Sequence, residues 1–261
     1  KKNTNIFIRT PFKIQLMNRT PLIITQLLVI NLIFYIGSQF SYDLSRDVFS
    51  LFYFENDKFI YSQLITHMFM HGNLMHLAFN MLALWMFGST LVSIWGKNKF
   101  LFFYFSCGIG AALLQNYANY VNVDSFVRAL SDANVSQDQI TSILKSATYP
   151  TYILDFVSES KMLSAYNDYN TPMIGASGAI YGIVVAFSFM FPNTKLMLLF
   201  PPIPIKSKFF VPGLILIDLF FGLTSASIGS IAHFAHIGGA ITGFLMMWYW
   251  KKSQFNNKRW N

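Results

Sequence analysis

Ser177 stands in the run Gly175-Ala176-Ser177-Gly178, near the start of a charge-free stretch bracketed by Pro172 and Pro192. A serine between glycines at the first turn of a helix is well placed to be a nucleophile. The helix N-terminus offers free N–H groups and a partial positive charge that favour a developing anion, and glycines let another backbone approach closely. Small residues also serve plain helix packing in membranes, so the serine requires a base before it implies chemistry. The chain has five histidines: His67, His71, His76, His233 and His236. His67 and His71 are four apart, a spacing that suits a metal pair, but no Asp or Glu lies between Lys58 and Asp124 to complete a site, and the one Cys there, Cys107, lies in an apolar run. The alternative is that both satisfy backbone groups of a loop. No metal or cofactor is expected.

The elements that must position these residues are membrane spans. Hydrophobic residues make up 54% of the chain and charged ones 11%, far from the balance of a soluble domain. The stretch from Met173 to Phe191 would give ~28 Å of helix, enough to cross a bilayer. Six spans are read in a single membrane domain covering 1–261: about 21–40, 74–95, 100–120, 171–191, 209–228 and 231–250. The polar, aromatic-rich connection 41–73 is expected in the interface. Residues 121–171 form a polar insertion in which SFVRALSDANVSQDQITSILKS reads as one or two short amphipathic helices. The loop holding Pro201, Pro202 and Pro204 reads as a rigid connector, and lone Cys107 as core or lipid-facing. The first apolar run lacks a small-residue cleavage site and is read as an anchor.

Charge then assigns the sides. Residues 1–20, the 2–3 and 4–5 loops and the tail 251–261 hold 14 of the 19 Lys and Arg and no acid. The 1–2 and 3–4 connections hold ten of the eleven acids. Basic residues collect in the cytoplasm, so both termini are expected there and the insertion outside. A net charge of +8 distributed this way marks topology and does not form a nucleic-acid patch. Spans 2, 4 and 6 all start from the outer side, so His76, Asn80, Ser177, His233 and His236 must share a membrane depth. Polar residues inside spans mark a functional interior, and serine with histidine at one depth suggests nucleophilic hydrolysis.

Three stretches, HMFMHGNLMHLAFNM, TPMIGASGAIYG and AHIGGAITG, together resemble the rhomboid family of intramembrane serine proteases over about Tyr61 to Trp250. The resemblance implies an all-α, six-span bundle with an interfacial 1–2 loop and a long extracytoplasmic helical insertion. It implies Ser177 as nucleophile, His236 as base, His76 and Asn80 as oxyanion-side donors, and Tyr181 as a ring stacked on the base. Only His236 fits Ala-His-x-x-Gly-x-x-x-Gly, through Ala235, Gly239 and Gly243. The implied substrates are transmembrane proteins of the surrounding bilayer, the implied location a bacterial inner membrane, with the site opening outward. A catalytically silent relative that binds membrane clients is the alternative.

The residues themselves agree. His76 and Asn80, four apart, share a helix face and can aim two donors at one oxygen; Asn80 could also be a plain polar rivet. Tyr181 lies one turn below Ser177, Gly175 and Gly178 flank it, and Gly239 with Gly243 form a small-residue stripe that admits span 4. No carboxylate is expected near the outer ends of these spans, so a Ser-His dyad is predicted. Asp218, about ten residues from the inner end of span 5, is predicted to be a structural acid far from Ser177. The pattern departs from the family at Ser62 and Gln63, where many members carry Trp-Arg, and at Val92, where glutamate is common. Both departures bear on loop support. Absence of an inverted repeat argues against a transporter, and absence of a second buried acid or His-Glu-x-x-His argues against aspartyl and zinc proteases.

Overall fold

A computed structural model describes residues 20–146, 148–197, 203–224 and 232–254. Residues 1–19 and 255–261 of the basic termini, Pro201 and Pro202 with the rest of 198–202 in the 4–5 loop, and the expected end of span 5 beyond Thr224 lie outside the described residues. The chain is mostly helical. Helix α1 (Leu22–Phe40) starts directly after Pro21, and Val29, Leu32, Ile33 and Ile36 on it are exposed, as lipid-facing residues are. Helix α2 (Tyr42–Phe49) and the short α3 (Gln63–Thr66) lie in the connection to α4 (Leu74–Ala83), which runs through a π-turn at Leu84–Gly88 into α5 (Ser89–Trp95). Asn73 caps α4 by accepting from the His76 backbone N–H at 2.8 Å. Among the described residues, three helical stretches are long and apolar enough to cross a membrane: Leu22–Phe40, Leu74–Trp95 and Lys97–Asp132.

The last of these, α6 (Lys97–Asp132), runs 36 residues, roughly 54 Å. The expected boundary near Tyr120 is therefore not a boundary, because no proline or glycine interrupts the stretch from Ala111 to Asp132 and the helix continues into the insertion. It turns at Asn134, which has positive φ, into α7 (Gln137–Ser146). Helix α8 (Glu159–Asn170), capped by Ser158, closes the insertion. The apolar faces of this part meet in a core of their own, with Phe126, Leu130, Ile140, Ile143, Ile153 and Met162 buried. Tyr53 of the 1–2 connection is buried in the same core, so the insertion sits on that connection.

Helices α9 (Ser177–Met190), α10 (Ser207–Leu223) and α11 (His233–Gln254) complete the fold. Between α9 and α10 the chain makes a two-stranded antiparallel ribbon, β1 (Lys195–Met197) with β2 (Pro204–Lys206), a small departure from the all-α expectation. Helices α6, α9 and α11 form the centre, packed through Phe103, Tyr104, Cys107, Ile183 and Ala240. Cys107 is thus core, and Val92 joins the same cluster. Lipid tails are as apolar as leucine, so close backbone approach must hold such helices together. A methyl placed on Gly239 would land on the Gly178 carbonyl oxygen, and one on Gly243 would come within 2.7 Å of the Gly182 Cα.

Gly239→Ala is accordingly expected to lower stability by about 1–3 kcal/mol through overpacking. Gly37→Ala, whose methyl meets nothing within 4 Å, should change it by no more than about 0.5 kcal/mol. Thermal unfolding in detergent compares the two, and equal melting points would refute the packing.

Candidate active site

The segment before Ser177 is not helical, against the expectation of a helix from Thr171. Pro172 and Gly175, with φ +114 at the latter, break it, and its backbone groups are taken up by the 1–2 connection. Met173 and Leu51 exchange two hydrogen bonds of 2.8 and 2.9 Å, and the Gly175 N–H donates to the His67 carbonyl at 2.9 Å. Non-helical backbone at membrane depth is tolerated only where protein satisfies it in this way. Helix α9 is left with 14 residues, roughly 21 Å and too short to span alone. Ser177 is its first residue, so the serine sits at a recessed helix N-terminus.

His236 lies one turn into α11. Its Nε2 is 2.8 Å from Ser177 Oγ, and the Tyr181 ring stacks on it with centroids 4.2 Å apart and planes 10° from parallel. Gly178 packs against Ala111 and the Ala235 carbonyl, which brings α9 onto the first turn of α11. On α4, His76 and Asn80 converge over Gly175: a methyl there would meet His76 Nε2 at 2.7 Å and Asn80 Nδ2 at 3.7 Å. Asn80 Nδ2 is buried without a hydrogen-bond partner. A buried amide donor gains from an acceptor, so Asn80 Nδ2 can serve an oxygen placed over Gly175. The structure thus gathers Ser177, His236, Tyr181, His76, Asn80 and the four glycines into one region.

Two features depart from the sequence reading. Asp218 is not remote: its Oδ1 lies 3.1 Å from His236 Nδ1 and 2.7 Å from His233 Nδ1. Counting along an expected span of 209–228 had set it mid-membrane. Helix α10 ends at Leu223, five residues past Asp218, while α9 starts deep, so the two residues come to one level. The expected pair without a carboxylate is therefore a row of Ser177, His236 and Asp218. The only signal in the sequence was an acid inside a span.

The second feature is Gln63. It is fully buried and ties the 1–2 connection together, donating to the carbonyls of Asp47 and Lys58 at 3.0 and 2.9 Å and accepting from the Phe52 N–H at 3.3 Å. It supplies loop support where many family members carry Trp-Arg. His67 and His71 belong to the same scaffold. Their Nδ1 atoms lie 2.7 Å from the Gln63 carbonyl and 3.2 Å from the Phe69 carbonyl, as the backbone-satisfying reading has it. Among the described residues no group of three or more metal-ligating side chains occurs.

A serine hydroxyl on a histidine ring, recessed among apolar helices beside an unpaired amide donor, defines a class of membrane protein with a hydrolase-like centre. The chain belongs to the rhomboid family: the Rhomboid domain model matches residues 58–127 and 138–253. It is 27% identical over 186 residues to Rhomboid protein 1, mitochondrial, of Saccharomyces cerevisiae, covering 71% of this chain and 40% of that one. It is 31% identical over 189 residues to Rhomboid protease AarA of Providencia stuartii (69% and 52%). It is 26% identical over 218 residues to the human Presenilin-associated rhomboid-like protein, mitochondrial (78% and 43%). The chain thus spans about half or less of the length of these relatives. Their names include mitochondrial proteins, so the expectation of a bacterial inner membrane has no support from them.

His67 and His71 precede the span Leu74–Trp95, and burial pushes both down to about 4. Both are neutral in the fold, and an unfolded histidine titrates near 6.5. Between pH 6.5 and 4 the unfolded chain binds the extra protons, so stability falls as pH falls through that window and levels off below it. Each contributes a loss on the order of 3 kcal/mol. Melting followed from pH 7 to 4 in detergent should fall steeply, and His67→Gln should flatten part of the slope. A melting point independent of pH would contradict this.

Proposed function

We propose that this chain is an intramembrane serine endopeptidase that cleaves transmembrane or juxtamembrane segments of other membrane proteins. The observation that carries the reading is the 2.8 Å contact between Ser177 Oγ and His236 Nε2, with Tyr181 holding the ring. Ser177 Oγ adds to the substrate carbonyl as His236 Nε2 takes its proton. The oxyanion is received by the Asn80 amide, the His76 ring and the first-turn N–H groups of α9. His236 returns the proton to the leaving amine, and the acyl group stays on Ser177. Water, deprotonated by the same ring, then releases the acid and restores the serine. A hydrogen-bonded helix hides its carbonyls, so the substrate segment must unwind to react.

Topology follows the charge bias in this proposal: six spans, with both basic termini on the inner side, whether cytoplasm or mitochondrial matrix, and the site opening to the other. A glycosylation or protease-accessibility tag at Gln137 should report the outer side; an inner-side signal would undo the shared-depth argument.

For the chemistry, a fluorophosphonate probe is expected to label Ser177 alone, with labelling lost in Ser177→Ala and in His236→Ala. Asn80→Ala and His76→Ala should each slow cleavage of a labelled transmembrane substrate by a factor on the order of 10–1000. Cleavage by wild type that persists in Ser177→Ala would sink the assignment. Absence of both labelling and cleavage in the folded wild type would favour a silent client-binding relative.

A further inference from the structure

We infer that Asp218 is a positioning residue for the reaction, selecting the reactive tautomer of His236 and holding it in place, and that His233 is the clamp that fixes Asp218. The inference rests on the protease reading above and adds a member to its site. A serine proton can pass to His236 Nε2 only if that nitrogen is bare, so the proton of the neutral ring must sit on Nδ1. An Nδ1–H buried without an acceptor would cost stability. The acceptor that the fold supplies is Asp218 Oδ1 at 3.1 Å. The opposite tautomer would turn a lone pair toward the carboxylate and a proton toward Ser177 Oγ. Tyr181 covers one face of the ring, so tilting does not offer another partner.

His233 explains why the carboxylate stays put. It opens α11, three residues before His236 and on the same helix face, and its Nδ1 reaches the same oxygen at 2.7 Å. Its ring lies against Phe221, with centroids 5.8 Å apart and planes at 23°. Its Nε2 is buried with no hydrogen-bond partner, so in the described fold the Nδ1–H contact is the polar work that the ring does. The helices come close at this point, since a methyl on Gly222 would lie 3.3 Å from the His233 Cβ. Two ring nitrogens from one helix thus converge on a single carboxylate oxygen, Oδ1, of another. When the serine proton arrives, His236 becomes a cation beside that carboxylate. The contact is therefore stronger in the transition state than in the resting site, which is the condition for an effect on rate.

The test uses the full chain in detergent or proteoliposomes, with fluorophosphonate labelling and transmembrane-substrate cleavage measured side by side. Asp218→Asn should lower kcat by a factor on the order of 10²–10⁴ and leave KM within about threefold, because the residue acts through the base and not on the substrate. Labelling of Ser177 should persist at a reduced rate, and Asp218→Glu should recover part of kcat. Unchanged kcat in a folded Asp218→Asn, or a loss confined to KM, overturns the inference. Should that variant not fold, the wild type decides by proton NMR. A far-downfield Nδ1–H resonance that is retained in His233→Gln and lost in His236→Ala supports the contact, and its absence refutes it. A wild type that neither labels nor cleaves refutes the protease reading instead, while the resonance still reports whether the carboxylate holds the ring.

Discussion

The distance between Ser177 and His236 is set by glycine. The serine is carried by α9 and the histidine by α11, and nothing covalent relates them for 59 residues. What relates them is that Gly178 and Gly182 face Gly239 and Gly243 with no side chain between the backbones. In lipid the exclusion of water gives helices no reason to associate, so dispersion between bare backbones must supply the attraction, and it falls away over a fraction of an ångström. The stacking of Tyr181 on His236 presupposes that contact.

The second constraint acts on the segment leading into Ser177. An unwound stretch at that depth has N–H and C=O groups that lipid cannot bind. The 1–2 connection binds them through Leu51 and His67, and Gln63 binds that connection to itself. The insertion in turn packs on Tyr53 and draws Asn56 to the Tyr169 carbonyl at 2.7 Å. The polar part of the molecule is thus a chain of supports that ends at Gly175, two residues before the serine.

Much of the site was legible because its residues are anomalous where they stand. Ser177, His76, Asn80 and His236 are polar residues in apolar runs, and charge bias plus span counting set them at one level. Asp218 carried the same anomaly and was misplaced, because depth was counted from the ends of an idealised helix. Real spans here begin late, as α9 does at Ser177, and stop early, as α10 does at Leu223. Two such offsets suffice to bring an acid from mid-bilayer to the site. Gln63 shows in the sequence only as a departure from a Trp-Arg pair, since a buried amide that joins the backbone of Asp47, Phe52 and Lys58 has no signature there. The start of the insertion is hidden for the opposite reason: the change from apolar to polar composition near Tyr120 does not end the helix.

That unbroken α6 has a mechanical consequence. Along one rod it presents Ala111 to Gly178, Gln115 to the backbone N–H of Ala235, Asn116 to the backbone N–H of Phe54 and Asn119 to the Asp168 carbonyl. Adding one residue to a helix turns everything beyond it by ~100° and advances it by ~1.5 Å. A single-residue change of length between Asn119 and Phe126 would swing the insertion beyond it around the axis like a mis-set gear, while a change of seven would return it nearly to phase. The insertion and the membrane part are geared together, and the tooth count of that gear is the length of one helix.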